Sequence, residues 1–213
     1  MTSNTGIRIV AFDFDGTLSY NASSWRKLHQ YFGTKEKSSI NLELYENGDI
    51  DYEEFMRLDI SAWPKDLHIS RVEKIVSDGL QMRPDAVQVV SEIKRKGLTV
   101  AIVSAGLDVL ISKIGNELKV DHVLANGLET DSKGYVTGNG IFRVDLLRKD
   151  LALLSLLGRI GLTADQCLSV GDSKYDSAFL TASGSSAAIQ GDEELEKVAT
   201  YVLPKLADVL NYV

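Results

Sequence analysis

The sequence predicts an α/β protein built on a doubly wound parallel sheet. Short apolar runs rich in Val and Ile recur along the chain, bounded by Gly, Asp or Ser, a pattern typical of strands buried on both faces. Between them lie longer segments with apolar residues at spacings of three and four, as in helices that pack on one side. Strands alternating with helices form right-handed crossovers, which give a parallel sheet.

The strands and most helices follow from these patterns in chain order. Residues 87–93 and 107–114 carry apolar stripes that predict helices, and a C-terminal edge strand at 201–203 precedes a last helix at 205–212. The helical stripes consist of Val87, Val90 and Ile93 and then of Leu107, Leu110, Ile111 and Ile114. Further helices are predicted at 150–160 and 192–199, and strands at 8–12, 99–103, 120–125, 166–170 and 186–189.

One block breaks the alternation. Residues 19–83 contain no convincing buried strand, only helical patterns at 23–31, 52–63 and 70–77. We therefore expect a helical cap over a catalytic core formed by residues 1–18 and 84–213. A turn signal at 131–134 within residues 129–138 predicts a small β-hairpin.

Composition excludes several functional classes. The 213 residues are 44% hydrophobic with a net charge of −7, which disfavours nucleic-acid binding but allows a locally positive pocket for a small phosphorylated metabolite. The single cysteine, Cys167, excludes an internal disulfide and a multi-cysteine zinc site, and is expected to be buried. The first apolar run is too short for a signal peptide, and no apolar stretch suits a membrane helix. We expect a cytoplasmic protein, as a monomer or homodimer.

Polar and charged residues follow the predicted strands. Open α/β sheets bind their ligands beyond the carboxyl ends of the strands. The string DFDGTL occupies 13–18, SAG occupies 104–106 and GDSKYD occupies 171–176, while Lys149 opens a helix before the fourth strand. Asp13 and Asp15 are two apart and point to one side of an extended chain, where a cation or a shared proton would relieve their repulsion.

Each feature also has a plain structural interpretation. The carboxylates of Asp13, Asp15, Asp172 and Asp176 suit helix caps, Ser104 suits a helix N-cap, and Lys149 suits a solvated surface charge. Several acids beyond one sheet edge, however, indicate a hard cation such as Mg²⁺.

The order of these motifs resembles the haloacid dehalogenase (HAD) superfamily of aspartyl-phosphate hydrolases, in its phosphoserine phosphatase-like branch. DFDGTL, Ser104, Lys149 and GDSKYD follow one another with gaps of 91, 45 and 23 residues. The resemblance covers essentially the whole chain, and it implies a Rossmann-like core with a helical cap between the first and second motifs.

The resemblance also implies roles. Asp13 is then the nucleophile that forms an aspartyl-phosphate, and Asp15 protonates the leaving alkoxide and later activates water. Mg²⁺ is held by Asp13, Asp172 and the backbone carbonyl of Asp15, with Asp176 close behind. The phosphoryl oxygens are held by Ser104, the Ala105 amide and Lys149.

Substrate choice in this branch depends on the cap. Arg57 stands where phosphoserine phosphatases carry a carboxylate-binding arginine, although a surface charge paired with Glu53 or Glu54 explains it equally. Two positions depart from the family. Ala22 replaces the acid that receives the substrate amino group, and Tyr175 replaces the usual asparagine of the last motif.

The resemblance predicts a Mg²⁺-dependent phosphomonoester hydrolase acting on a small carboxylated phosphate such as phosphoserine. Phosphotransfer to an alcohol acceptor needs the same residues, and another small metabolite is an alternative substrate. A receiver-like signalling module also places acids, a hydroxyl and a lysine beyond a doubly wound sheet, but the second carboxylate and the inserted block disfavour it.

Overall fold

The computed structural model describes residues 6–20 and 23–213. Within them, seven strands form one sheet with the order β4-β3-β2-β1-β5-β6-β7. The strands are β1 (Ile9–Phe12), β2 (Thr99–Leu107), β3 (His122–Thr130), β4 (Val136–Ile141), β5 (Cys167–Gly171), β6 (Ser185–Ile189) and β7 (Tyr201–Leu203).

All neighbouring strands run parallel except β4, which is antiparallel to β3. The central strand β1 lies between β2 and β5, with Ile9 opposite both Thr99 and Cys167. This arrangement confirms the doubly wound sheet and places a topological switch point at the carboxyl end of β1, where such sheets bind ligands. The predicted hairpin is also present, since β3 and β4 flank a turn closed by a hydrogen bond from Gly134 N to Asp131 O.

The helices in the described part of the chain are α1 (Ser24–Phe32), α2 (Lys35–Glu46), α3 (Tyr52–Ser61), α4 (Ile69–Ser77), α5 (Ala86–Arg95), α6 (Asp108–Glu117), α7 (Lys149–Arg159), α8 (Ser177–Thr181) and α9 (Glu193–Val198). Alternate residues of β1 face opposite sides of the sheet. Val10 and Phe12 join the apolar core shared with α5 and α6, whereas Ile9 and Ala11 join the core under α7, α8 and α9. Each face is therefore covered, which explains the unbroken apolar runs of the strands.

Four helices, α1 to α4, are inserted between β1 and α5 and join the first of these two cores. Helix α2 has no counterpart among the predicted helices, because its buried residues are only Asn41 and Tyr45 and an apolar stripe is absent. The remaining insertion helices agree with the helical patterns in the sequence.

Three details of the prediction were wrong. Leu107 is the last residue of β2 and does not belong to the helical stripe of α6. Val87 does not belong to the buried stripe of α5; it is 64% exposed, and the buried residues are Ala86, Val89, Val90 and Ile93. The C-terminal helix is a 3₁₀ segment, Leu206–Asn211, instead of an α-helix. Cys167 is buried and free, as expected.

Candidate active site

The loop after β1 brings the first motif to the switch point. Asp13 is buried, and its N–H donates to Val170 O at 2.9 Å, which continues the pairing of β1 with β5. The chain then turns sharply, since Phe14 O accepts hydrogen bonds from Leu18 N at 3.0 Å and Ser19 N at 3.1 Å. Gly16 has φ +91°, a conformation that favours glycine.

Lys149 is buried at the start of α7 and is not a solvated charge. Its Nζ lies 3.1 Å from Asp13 Oδ1 and 2.6 Å from Asp176 Oδ1. Burial by itself lowers the pKa of the ammonium, but the Asp13 and Asp176 carboxylates outweigh that effect and raise the pKa. Lys149 is therefore a fixed positive charge beside the carboxylate of Asp13.

The loop after β5 supplies two more acids. Asp172 Oδ1 accepts a hydrogen bond from Thr17 Oγ1 at 2.8 Å, which ties the two motif loops together. Asp176 Oδ2 accepts from the backbone N–H groups of Asp172 at 3.1 Å and Ser173 at 3.3 Å. Asp176 thus both caps this loop, as the structural interpretation proposed, and binds Lys149.

These acids form a group that fits a divalent cation. Asp13, Asp172 and Asp176 each offer one oxygen, and the three oxygens lie within 4.8 Å of one another. Carboxylate oxygens are the ligands that Mg²⁺ prefers. Among the described residues, the side chain of Asp15 does not belong to this group.

Asp15 is oriented separately. Its Oδ2 accepts a hydrogen bond from Ser24 N at 3.0 Å, at the start of α1. A Cβ on Gly106 would lie 2.8 Å from the same oxygen, so the third residue of SAG must be small. Ser24 also accepts through Oγ from Leu107 N at 2.9 Å, which joins α1 to the end of β2.

The electrostatics of the site oppose full ionisation of its acids. Burial raises the pKa of Asp13 to about 6 against the opposing charge of Lys149. Burial and then the Asp13 charge raise the pKa of Asp15 to about 7. Burial, with Asp13 and Asp176, raises the pKa of Asp172 to about 7. Carboxylates crowded in this way are stabilised by a cation among them.

Ser104 and Ala105 lie in the last part of β2, where the pairing with β3 shifts register. Ser104 is not a helix N-cap, since α6 begins four residues later, and its Oγ accepts from Gly106 N at 3.2 Å. Ala105 O accepts from Trp25 Nε1 at 3.0 Å and Asn126 Nδ2 at 3.1 Å. These donors hold the carbonyl of the segment that carries Ser104.

A cavity of about 370 Å³ opens onto these residues, a volume that suits a small ligand. It is lined by the predicted site residues Asp13, Asp15, Ser104, Ala105, Lys149, Asp172 and Tyr175. Tyr175 donates its hydroxyl to Glu46 Oε1 at 2.7 Å, so it connects the last motif to the end of α2. Burial and Glu46 raise the pKa of Tyr175 to about 12.

Arg57 is not brought into this cavity, in contrast to the expectation from the resemblance. Its guanidinium binds Glu54 through two contacts of 2.6 Å, and its side chain is 52% exposed. The pairing with Glu54 is the alternative that the sequence already offered. Ala22, the other position at which the sequence departs from the family, lies outside the described residues.

The cavity also contains residues that sequence reasoning missed. From the insertion, Trp25, Arg26, Tyr52, Phe55 and Asp59 line it. Tyr52, Phe55 and Asp59 are spaced by three and four, so one face of α3 is turned toward the site. That spacing was the available signal, although it did not say what the face would meet.

The fold and the buried Asp-Lys-Asp group are those of an α/β protein with a candidate ligand site at the switch point of its sheet. The model of the haloacid dehalogenase-like hydrolase family matches residues 10–181. The chain belongs to this family, and the match favours a hydrolase over the receiver-like alternative.

Relatives and solved structures agree with this assignment. The phosphoserine phosphatase of Methanocaldococcus jannaschii is 28% identical over 97% of this chain and 97% of its own length. That of a Polaromonas species is 27% identical over 90% of this chain and 83% of its own length.

A substrate-bound phosphoserine phosphatase complex superposes with a TM-score of 0.80 at 26% identity, covering 97% of this chain and 98% of the other. A phospho-aspartyl intermediate analogue of phosphoserine phosphatase gives 0.79 at 27% identity, over 97% and 99%. The protein is thus a haloacid dehalogenase-like hydrolase that is similar over nearly its whole length to phosphoserine phosphatases. Among its described helices, none combines the length and apolar character needed to cross a bilayer.

Proposed function

We propose that this protein is a Mg²⁺-dependent phosphomonoester hydrolase that acts through an aspartyl-phosphate on a small carboxylated phosphate, with phosphoserine as the leading substrate. The observation that carries the proposal is the contact of Lys149 with Asp13, 3.1 Å apart and buried at the switch point of the sheet. The relatives named phosphoserine phosphatase supply the substrate candidate.

Asp13 acts as the nucleophile in this proposal. Its carboxylate oxygen attacks phosphorus and displaces the substrate alkoxide, which divides one difficult displacement into two steps. Lys149, Ser104 and the Ala105 amide hold the phosphoryl oxygens through the transition state. Because Lys149 is fixed by Asp176 at 2.6 Å, its charge does not have to reorganise during the reaction.

Asp15 acts as the general acid and then the general base. It protonates the leaving oxygen, and afterwards it removes a proton from the water that attacks the aspartyl-phosphate. The hydrogen bond from Ser24 N to Asp15 Oδ2 fixes the orientation of this carboxyl group.

Asp13, Asp172 and the backbone carbonyl of Asp15 would hold the Mg²⁺, with Asp176 behind them. The three carboxylate oxygens within 4.8 Å of one another support this assignment. When bound, the cation neutralises phosphate oxygens that otherwise repel an attacking carboxylate.

Residues 19–83 act as the cap in this proposal, over a core of 1–18 and 84–213. Insertion residues lining the cavity support that role. The cytoplasmic location and the monomeric or homodimeric state stay predictions of the sequence.

The test is phosphate release from a panel of phosphomonoesters with Mg²⁺, each repeated in excess EDTA. The panel contains phosphoserine, phosphoglycolate, sugar phosphates, nucleotides and p-nitrophenyl phosphate. We expect metal-dependent turnover with phosphoserine ahead. Turnover of other esters alone would exclude phosphoserine as the substrate but support the phosphatase activity. The absence of turnover with every ester would contradict the proposal.

A further inference from the structure

The face of α3 that lines the cavity carries one charged residue. Tyr52, Phe55 and Asp59 all line the cavity, whereas Arg57 lies two residues from Asp59 and therefore about 200° around the helix. The same rotation that turns Arg57 outward turns Asp59 inward.

Asp59 is a buried carboxylate with incomplete hydrogen bonding. Its residue is 0% exposed, and Asn41 Nδ2 donates to Oδ1 at 2.8 Å. Oδ2 lies 3.0 Å from His29 Nε2, yet neither atom has a partner in hydrogen-bond geometry. The contact with His29 is an ion-pair contact that lacks hydrogen-bond geometry, so this carboxylate at the cavity wall can still accept from a further donor.

The phosphoryl-transfer machinery leaves this acid unused. Asp59 is not among the acids grouped around Asp13, and Lys149 contacts other carboxylates. A donor that enters the cavity with the substrate can align with Oδ2, and a cationic donor also offsets the buried charge.

A complementary charge lines the same cavity. Of its cationic residues, Lys149 is held by Asp13 and Asp176, whereas Arg26 on α1 makes no ion pair with the described residues. Arg26 is exposed, with its guanidinium available to a carboxylate in the bidentate manner that arginine favours.

We propose that Asp59, supported by Asn41 and His29, binds the ammonium group of the substrate, and that Arg26 binds its carboxylate. These residues take the places that the resemblance assigns to positions 22 and 57. The inference rests on the proposed function, because it assumes a phosphomonoester as substrate, and it deepens that function by naming the residues that recognise an amino acid.

The first test uses the wild-type protein and three esters with the same phosphate. Phosphoserine carries both an ammonium and a carboxylate, which we call its head groups. Phosphoethanolamine lacks the carboxylate, and 3-phosphooxypropanoate lacks the ammonium. We expect kcat/KM to fall at least about tenfold when either group is missing, the size of one charged hydrogen bond. Turnover of all three esters at equal kcat/KM would overturn the inference and leave the phosphatase intact.

The second test assigns the residues. Asp59→Asn should remove the preference for phosphoserine over 3-phosphooxypropanoate, and Arg26→Gln should remove the preference over phosphoethanolamine. Arg57→Gln is the matched control, with both preferences retained. The reference ester is p-nitrophenyl phosphate, which carries neither head group, so loss of its turnover separates misfolding from lost recognition.

Opposite results overturn the assignment. Variants at Asp59 or Arg26 that keep both preferences would contradict it, as would loss of a preference in Arg57→Gln. If Asp59→Asn does not fold, the wild-type comparison of phosphoserine with 3-phosphooxypropanoate still tests recognition of the ammonium group. Arg26→Gln, at an exposed position, still tests recognition of the carboxylate.

Discussion

At the scale of single residues, Gly16 leaves room for the close approach of Asp172. Gly16 has φ +91°, and a Cβ at this position would lie 2.1 Å from Asp172 Oδ2. A side chain here therefore strains the backbone and displaces a proposed metal ligand at the same time.

Gly16→Ala should lower kcat by at least about tenfold, because the displaced Asp172 weakens the acidic group. Gly97→Ala is the matched control: it has φ +78° with no atom within 4 Å of the added Cβ. Both variants should lose about 1–2 kcal/mol of unfolding free energy from the left-handed conformation. Equal activity in the two variants, measured beside urea unfolding, would contradict the role of Gly16.

The two aspartates of the first motif should fail in different ways. Asp13→Asn should reduce turnover on the order of 10³-fold or more, because an amide cannot attack phosphorus. Asp15→Asn should still form the aspartyl-phosphate but release it about 10²–10⁴ times more slowly, because general-base assistance is lost. Intact mass after mixing with substrate measures the phosphorylated fraction, and full activity of Asp13→Asn would refute the nucleophile.

At the scale of elements, the end of α2 contacts two loops outside the insertion: the loop before α7 and the loop after β5. Tyr45 donates its hydroxyl to Asp145, ahead of α7. The neighbouring Glu46 accepts from Tyr175 in the last motif at 2.7 Å. Two adjacent residues of the insertion therefore contact two different loops of the rest of the chain.

The Tyr175–Glu46 contact should appear as a coupling energy. In a double-mutant cycle, Tyr175→Phe and Glu46→Ala should be non-additive by about 0.5–1.5 kcal/mol in unfolding free energy, the range of an ordinary intramolecular hydrogen bond, because this contact is exposed to solvent. Glu43→Ala, one turn earlier on an exposed position of α2, should show additivity with Tyr175→Phe. If the effects of Glu46→Ala and Tyr175→Phe are additive, this contact does not contribute to the stability of the fold.

This contact also shows the limit of sequence reasoning about elements. The strands, the hairpin and three insertion helices could be predicted because their signals are local patterns of apolar residues and turns. Helix α2 could not, because it buries Asn41 and Tyr45 against partners distant in the chain. Arg57 was assigned by position along the chain, whereas the rotation of α3 about its axis decides which of its residues line the cavity, and Arg57 is not among them.

At the scale of the whole molecule, the order of the motifs predicted which residues would meet at the switch point. Asp13, Lys149 and Asp172 follow strands or open a helix at one sheet edge, so the topology alone brings them together. Asp59 and Arg26 had no such signal. They reach the cavity through the packing of the insertion on the sheet, which depends on side-chain contacts across the whole chain.

The acidic group links metal binding to global stability. Three oxygens of Asp13, Asp172 and Asp176 lie within 4.8 Å of one another. Burial, and then the charges of Asp13 and Asp176, raise the pKa of the Asp172 carboxyl to about 7. The folded protein without a cation therefore carries a charge repulsion that is relieved when the chain unfolds. A cation bound only by the folded state stabilises it by about 2.7 kcal/mol at a concentration 100 times its Kd.

We therefore expect saturating Mg²⁺ to raise the Tm by roughly 5–10 °C, given about 2–4 °C per kcal/mol for a chain of this size. Excess EDTA should reverse the rise. Asp172→Asn should abolish most of it, whereas Asp66→Asn, at an exposed position, should keep it. A Tm independent of Mg²⁺ in the wild type, or an equal response in Asp172→Asn, would show that these carboxylates do not hold the cation. Phosphate release in the same samples then reports whether the metal that stabilises the fold is the one that supports turnover.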